Sequence, residues 1–203
     1  MIAVIDYGIN NSSSVIRMVE KVGGEVRRAC GPEELKDASK LILPGVGHFD
    51  EGMRRLNSMG FQGPLKEMIQ EKNVPILGIC LGMQLLCESS EEGDSSGLGL
   101  VQAKVRHLCC EERRDLKIPH MGWNTLDVVR NNSLIAANSG TQRFYFVHSY
   151  YVELENNDLC IAQADYGAGF CAAFQSNKIF GVQFHPEKSH RFGMSLMRNF
   201  VDL

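Results

Sequence analysis

Over its first ninety residues the chain alternates short, almost unbroken apolar runs with stretches of helical periodicity, and this alternation restricts the fold more than any other feature. Residues 2–5 carry no polar side chain. After the hydroxyls of Ser12 to Ser14, which are placed to cap a helix, Val15, Met18, Val19 and Val22 recur at helical spacing and Gly23-Gly24 ends the run. Residues 25–30 and 41–43 read as further strands, and helices are expected from about Asp50 and from Pro64, where proline suits a first turn. Residues 74–79 form another apolar strand, followed at once by Leu81, Leu85 and Leu86 at helical spacing. Strands that are apolar throughout must be covered on both faces, and intervening helices supply that cover. The expectation is an α/β fold with a mostly parallel central sheet.

From residue 98 to residue 184 the signals change to strands and turns, with an alternating run over 144–152 and a hairpin expected to turn near Ser176 and Asn177. An antiparallel section beside the parallel core is expected. A last helix over 189–200 starts at a serine cap and spaces Phe192, Leu196 and Phe200 along one face. Residues 91–97 read as a mobile surface loop, and Glu91, Glu92 and Asp94 as solvated charges without partners. With 203 residues, one domain spanning 1–203 is expected.

A formal charge of -3 with scattered basic residues leaves no broad cationic face, so neither nucleic acid nor an anionic membrane is an expected partner. The N-terminal residues are a poor signal peptide, and no apolar run reaches membrane-spanning length. Seven cysteines, in no zinc or thioredoxin spacing, fit a reduced, cytoplasmic compartment.

Three segments carry candidate chemistry. Gly78-Ile79-Cys80-Leu81-Gly82 sits between an apolar strand and a helix, as a nucleophile elbow does, with small residues permitting a tight turn that lifts the thiol toward a helix N-terminus. The same five residues also fit a buried structural cysteine. In Gln183-Phe184-His185-Pro186-Glu187, proline favours extended geometry at His185, so imidazole and carboxylate two residues apart face one side. Such a pair suits a general base held by an orienting acid, or a merely structural contact. Leu41 to Gly47 ends a strand in the glycine-rich loop Pro44-Gly45-Val46-Gly47, which can aim backbone N–H groups, with that of Leu81, at a developing oxyanion. It also reads as an ordinary turn. All three lie at carboxyl ends of expected parallel strands, the edge where open α/β sheets place ligands.

In this order, Pro44-Gly-Val-Gly47, Gly78-Ile-Cys-Leu-Gly-Met-Gln84 and Gln183-Phe-His-Pro-Glu187 resemble the class I, or triad, glutamine amidotransferases, whose central sheet is flavodoxin-like. Asp6-Tyr-Gly8, Lys117 to Asn124, Phe144 to Tyr150 and Glu187-Lys-Ser189 narrow the likeness to the glutaminase subunits of imidazole glycerol phosphate synthases, amidotransferases of histidine biosynthesis. The resemblance implies hydrolysis of L-glutamine through a Cys80, His185 and Glu187 triad and a glutamyl thioester, with ammonia channelled to the cyclase. Val46 and Gly47 would join Leu81 around the oxyanion, on a strand whose peptide orientation responds to the partner. Gly45, Gln84, Ser149 and Tyr150 would hold glutamine. Pro119, His120, Met121, Gly122, Trp123 and Asn124 would face the partner. That partner is implied to be a synthase (cyclase) subunit built as a (β/α)8 barrel, forming a heterodimer. No cofactor or metal is implied.

Asn10 departs from the glycine usual in the family after Asp6-Tyr-Gly8, and residues 188–194 also resemble paralogues that feed an ATP-dependent sugar amidotransferase of surface-polysaccharide synthesis. A non-catalytic interaction module with a retained fold would lack a triad member, and a stand-alone cysteine hydrolase would turn over rapidly without help. His48, His120 and His148 share no spacing and read as packing or interface residues rather than metal ligands. Trp123 fits an interface anchor and a core residue equally. The adjacent Cys109 and Cys110 are poorly placed for a disulfide with each other.

Overall fold

The structure, a computed structural model, describes residues 1–108, 116–136 and 140–203. The Cys109 and Cys110 pair lies outside the described residues. In the first half the elements run β1 (Ile2–Ile5), α1 (Ser12–Lys21), β2 (Val26–Ala29), β3 (Lys40–Gly45), α2 (Phe49–Ser58), α3 (Gln62–Lys66) with a π turn over Glu67–Glu71, β4 (Ile76–Cys80) and α4 (Leu81–Leu85). In the second half come β5 (Ser89–Ser90), β6 (Ala103–His107), β7 (His120–Val128), β8 (Gln142–His148), β9 (Tyr150–Leu154), β10 (Cys160–Asp165), β11 (Gly169–Ser176), β12 (Ile179–Val182) and α5 (His190–Asp202).

One sheet runs in the order β2-β1-β3-β4-β12-β11-β10-β7-β8, parallel from β2 to β12 and antiparallel beyond. β9 branches from β11, and β6 and then β5 continue that branch. The alternation of the parallel strands is written in the two cores. Ala3, Ile5, Leu41, Leu43 and Ile76 pack toward α2 and α3 with Phe49, Met53, Leu56 and Leu65. Ile2, Val4, Ile42, Leu77 and Ile79 pack the other way, toward α1 and α5, with Val15, Val19, Leu196, Met197 and Phe200. Each such Val, Leu, Ile, Met or Phe side chain contributes about 1.5–3 kcal/mol by leaving water, so apolar residues at every position are used on both faces.

Register sets the edge that matters. Gly45 pairs with Cys80 across β3 and β4, and Ile79 pairs with Val182 across β4 and β12. The loop after β3, the turn after β4 and the segment after β12 therefore leave the sheet side by side. The expected hairpin turns at Asn177, whose φ of 52° is the left-handed conformation that asparagine tolerates.

Two expected caps are corrected. The hydroxyl of Ser12 donates to Asp6 (2.8 Å) and that of Ser13 accepts from Arg28 (2.8 Å), while the helix-start amide of Ser12 donates to the Asn10 side chain (3.1 Å). Asn10 also donates to the Ile5 carbonyl (3.1 Å), so the departing residue ties β1 to α1. Ser189 precedes α5 without making a side-chain cap bond. Its hydroxyl instead donates to the His185 carbonyl (2.6 Å) and accepts from the Tyr145 amide (3.0 Å).

The loop over 91–97 is also corrected. Glu91 pairs with Arg106 (2.9 Å) and accepts from the His107 amide (2.8 Å), and Glu92 accepts from the Phe49 amide (2.9 Å). The amides of Asp94 and Ser95 donate to Asp50. The Glu91 and Glu92 carboxylates thus have partners from β6 and α2, distant in sequence, while Asp94 is exposed as expected.

Candidate active site

Cys80 ends β4 with φ 54° and ψ -112°, a conformation that costs a non-glycine residue about 1–3 kcal/mol and persists only where its surroundings enforce it. The flanking glycines do so. A Cβ at Gly82 would lie 1.7 Å from the Leu43 carbonyl oxygen, and one at Gly78 would lie 2.7 Å from the Gly82 carbonyl oxygen. The turn is thus pressed against β3, and α4 starts at the next residue. Cys80 is 7% exposed, and its thiol faces the Val147 carbonyl at 3.9 Å.

His185 and Glu187 meet through a mechanism different from the one expected. β12 ends at Val182, and Pro186–Lys188 forms a 3₁₀ turn closed by the Lys188 amide on the His185 carbonyl (3.1 Å). The carboxylate curls back onto the imidazole rather than lining up beside it on an extended strand, because proline's fixed φ suits the first position of a turn. His185 Nδ1 lies 2.7 Å from Glu187 Oε1, both side chains being almost wholly buried. The backbone around them is pinned to β8: the His185 amide donates to the Tyr145 carbonyl (2.9 Å), and Ser189 bridges both residues.

Burial alone would lower the His185 pKa, but the charge and polar contact of Cys80, and then the Glu187 carboxylate, raise it to about 10. The buried Nε2 has no hydrogen-bond partner at ordinary bonding distance. A cysteine sulfur beside an imidazole with a carboxylate behind it can attack a carbonyl carbon while the ring carries a proton to the leaving group.

A cleft of about 170 Å³ opens over these residues, lined by Val46, Gly47, Cys80, Leu81, Gln84, Glu92, Val147, His148, Ser149, Tyr150 and His185. Eight of the ten residues read as triad, oxyanion or glutamine-holding therefore border it. The other two, Glu187 and Gly45, sit behind it. A Cβ at Gly45 would meet Tyr7 Oη at 2.4 Å and Gly82 N at 2.9 Å. The Val46 amide donates to the Ile9 carbonyl (3.2 Å). Gln84 donates to the Tyr150 carbonyl (3.0 Å) and to Gln183 Oε1 (3.1 Å).

Two residues escaped the sequence reading. Gln183, wholly buried, lies with its Nε2 3.8 Å from the Cys80 sulfur and so links nucleophile to Gln84. Its place two residues before His185 was the available signal. Glu92 is half-buried in the cleft wall, and burial raises its pKa against the opposing hydrogen bond from Phe49 and the charge of His48. Only the fold brings it there.

The segment 119–124 begins and runs along β7 with alternating exposure: Met121 is 61% and Trp123 41% exposed, whereas His120 is buried. Trp123 stacks on His190 at 5.6 Å. Among the described residues, no three His, Cys, Asp or Glu side chains gather as a metal-holding group. No described helix is long and apolar enough to cross a membrane.

Residues 3–203 match the family model described as Glutamine amidotransferase class-I. The chain is 45% identical to imidazole glycerol phosphate synthase subunit HisH 2 of Pseudomonas aeruginosa over 204 residues, covering 100% of each chain. It is 46% identical to subunit HisH 2 of Methanococcus maripaludis, covering 99% of this chain and 98% of that one. Among solved structures, PurLQS of Thermotoga maritima superposes with a TM-score of 0.75 at 18% identity, covering 99% and 97% of the two chains, a likeness of fold alone.

Proposed function

Because the chain belongs to the class I glutamine amidotransferases, and within them to the HisH subunits of imidazole glycerol phosphate synthase, we propose that it hydrolyses L-glutamine at Cys80 and delivers the ammonia to a synthase subunit in histidine biosynthesis. The observation that carries this reading is the Cys80 elbow in a left-handed conformation beside the buried His185 and Glu187 pair.

The Cys80 thiolate adds to the side-chain amide carbon of glutamine. His185 gives its proton to the departing nitrogen, ammonia leaves, and a glutamyl thioester remains. Water then adds to the thioester carbon, with His185 taking its proton, and glutamate departs as the Cys80 thiolate is restored. Glu187 keeps the imidazole oriented and offsets its charge. Leu81 N–H and an N–H from Val46 or Gly47 receive the oxyanion. Since the Val46 N–H is bonded to Ile9 in this structure, the Gly45–Val46 peptide must turn before that N–H can serve. Docking of the partner is proposed to favour the turn. Gln84 and the backbone of Ser149 and Tyr150 hold the amino-acid end of glutamine, and the Glu92 carboxylate receives its ammonium.

The partner is read as a (β/α)8-barrel cyclase docked in a heterodimer, with Pro119 to Asn124 toward it and the exposed Met121 and Trp123 as anchors. Residues 1–203 act as one catalytic unit in the cytoplasm. The test mixes the chain with the cyclase subunit and measures glutamate release. Cyclase should raise hydrolysis strongly, and Cys80→Ser should abolish it while ammonia-dependent synthesis by the same complex continues. Full turnover by Cys80→Ser would overturn the reading.

A further inference from the structure

Tyr7 follows β1 and is wholly buried, yet its hydroxyl has no hydrogen-bond partner. An unmade bond of this kind costs about 1–3 kcal/mol, so its persistence calls for a cause. The hydroxyl does not lie in a uniformly apolar place. An added Cβ at Gly45 would meet it at 2.4 Å and would also meet Gly82 N and Leu81 Cβ, each at 2.9 Å. Tyr7 Oη therefore sits where the end of β3 crosses the first turn after Cys80. Burial raises its pKa, as do the charges of Cys80 and Asp6, and the phenol remains an O–H donor at any physiological pH.

The neighbouring peptide supplies an acceptor. The Val46 N–H points to the Ile9 carbonyl (3.2 Å). In a trans peptide N–H and C=O point in opposite directions, so the Gly45 carbonyl now points away from the loop that holds Tyr7 and Ile9. Turning this peptide to bring the Val46 N–H into the cleft swings the Gly45 carbonyl toward that loop. There it would oppose the Ile9 carbonyl, acceptor against acceptor, unless a donor intervened.

We propose that Tyr7 is a positioning residue for glutamine hydrolysis: its hydroxyl donates to the Gly45 carbonyl once the Gly45–Val46 peptide has turned to present the Val46 N–H to the oxyanion. The hydroxyl is idle while Val46 is bonded to Ile9 and bonded when the donor is in place, so it biases the strand toward the competent orientation. The proposal rests on the glutaminase reading of the Cys80 site.

The test is Tyr7→Phe in the complex with the synthase subunit. The expected result is a fall in kcat for glutamine hydrolysis of about tenfold, the worth of one hydrogen bond, with KM changed less than about twofold. The thermal midpoint should stay level or rise, because the resting fold loses only an unsatisfied hydroxyl. Ammonia-dependent synthesis should match wild type. Wild-type kcat in Tyr7→Phe, or a lowered kcat accompanied by a lowered midpoint, overturns the Tyr7 assignment alone. A wild-type complex whose glutamine hydrolysis does not depend on Cys80 overturns the parent reading and this inference together.

Discussion

His120 Nδ1 lies 3.0 Å from His148 Nε2, across a directly opposed pair of β7 and β8. The surrounding partners assign the protons. His148 Nδ1 lies 2.8 Å from the Tyr150 carbonyl, which can only accept, so His148 Nε2 must accept from His120 Nδ1–H. His120 Nε2 is then left to accept from Asn124 Nδ2 at 3.3 Å. A single directed chain of hydrogen bonds thus runs from β7, the strand proposed to face the partner, to the Tyr150 carbonyl that also receives Gln84. It requires both imidazoles to be neutral.

That requirement makes the fold acid-sensitive. Burial lowers His120 to about 4, and burial together with the charges of His120 and His185 lowers His148 to about 3 against the opposing pull of the Tyr150 carbonyl. Unfolded, both titrate near 6.5. As pH falls through that value the unfolded chain takes up protons that the fold refuses. The stability is therefore full above about 6.5 and declines down to the folded values, by an amount on the order of a few kcal/mol for His148. Thermal midpoints measured from pH 7.5 to pH 4 should fall, and more gently in His120→Phe. An identical slope in wild type and variant would refute this.

The two glycines bordering the reactive loops should differ in how much stability they lose on substitution. Gly82→Ala drives a methyl group to 1.7 Å from the Leu43 carbonyl oxygen, a backbone atom unable to retreat without moving β3. A loss above about 3 kcal/mol is expected, or no folded protein at all. Gly47 has φ 102° but open space around it, so Gly47→Ala incurs only backbone strain, about 1–2 kcal/mol. Urea midpoints separate the two, and comparable losses would mean the elbow does not press on β3.

The parallel half was legible because its strands are buried on both faces, so periodicity and burial say the same thing. The elbow was legible because Gly78 and Gly82 bracket Cys80 within one pentapeptide. What escaped depends on contacts between distant residues. His120 and His148 share no spacing, and only the β7 and β8 register joins them. Glu92 reads as a loop charge until its bond to the Phe49 amide draws it into the cleft. Ser12 and Ser189 read as caps because hydroxyls before an apolar run usually are, whereas here Ser12 is held by Asp6 and Arg28, and Ser189 by the His185 carbonyl and the Tyr145 amide, in place of the helix amides.

Glu92 is the carboxylate that borders the cleft, Glu187 being behind it. A substrate ammonium set against it would lose its charge partner in Glu92→Gln while the reacting atoms stayed as they were. KM for glutamine should rise by about tenfold or more with kcat nearly unchanged, since such a contact is equal in ground and transition states. Initial rates across a glutamine series decide it. An unaltered KM would remove Glu92 from the substrate contacts.

Glu187→Gln tests the orienting acid with almost no change of shape. In wild type Glu187 Oε1 sits 2.7 Å from His185 Nδ1 and 3.4 Å from Asn11 Nδ2, so it meets donors on two sides. A carboxamide can still accept at its oxygen but carries no charge to balance the imidazolium, and its NH2 can present a donor where only acceptors suit. By analogy with other triads the loss in kcat is on the order of 10²- to 10⁴-fold. The pH dependence supplies a second readout. His185 is raised to about 10 by the sulfur and the carboxylate against burial, so its contribution to stability is complete below about 6.5 and is lost as pH climbs to about 10. Without the carboxylate the folded value drops, and the alkaline fall in thermal midpoint should begin at lower pH than in wild type. A variant with wild-type kcat and an unmoved alkaline limb would mean that His185 works without its acid.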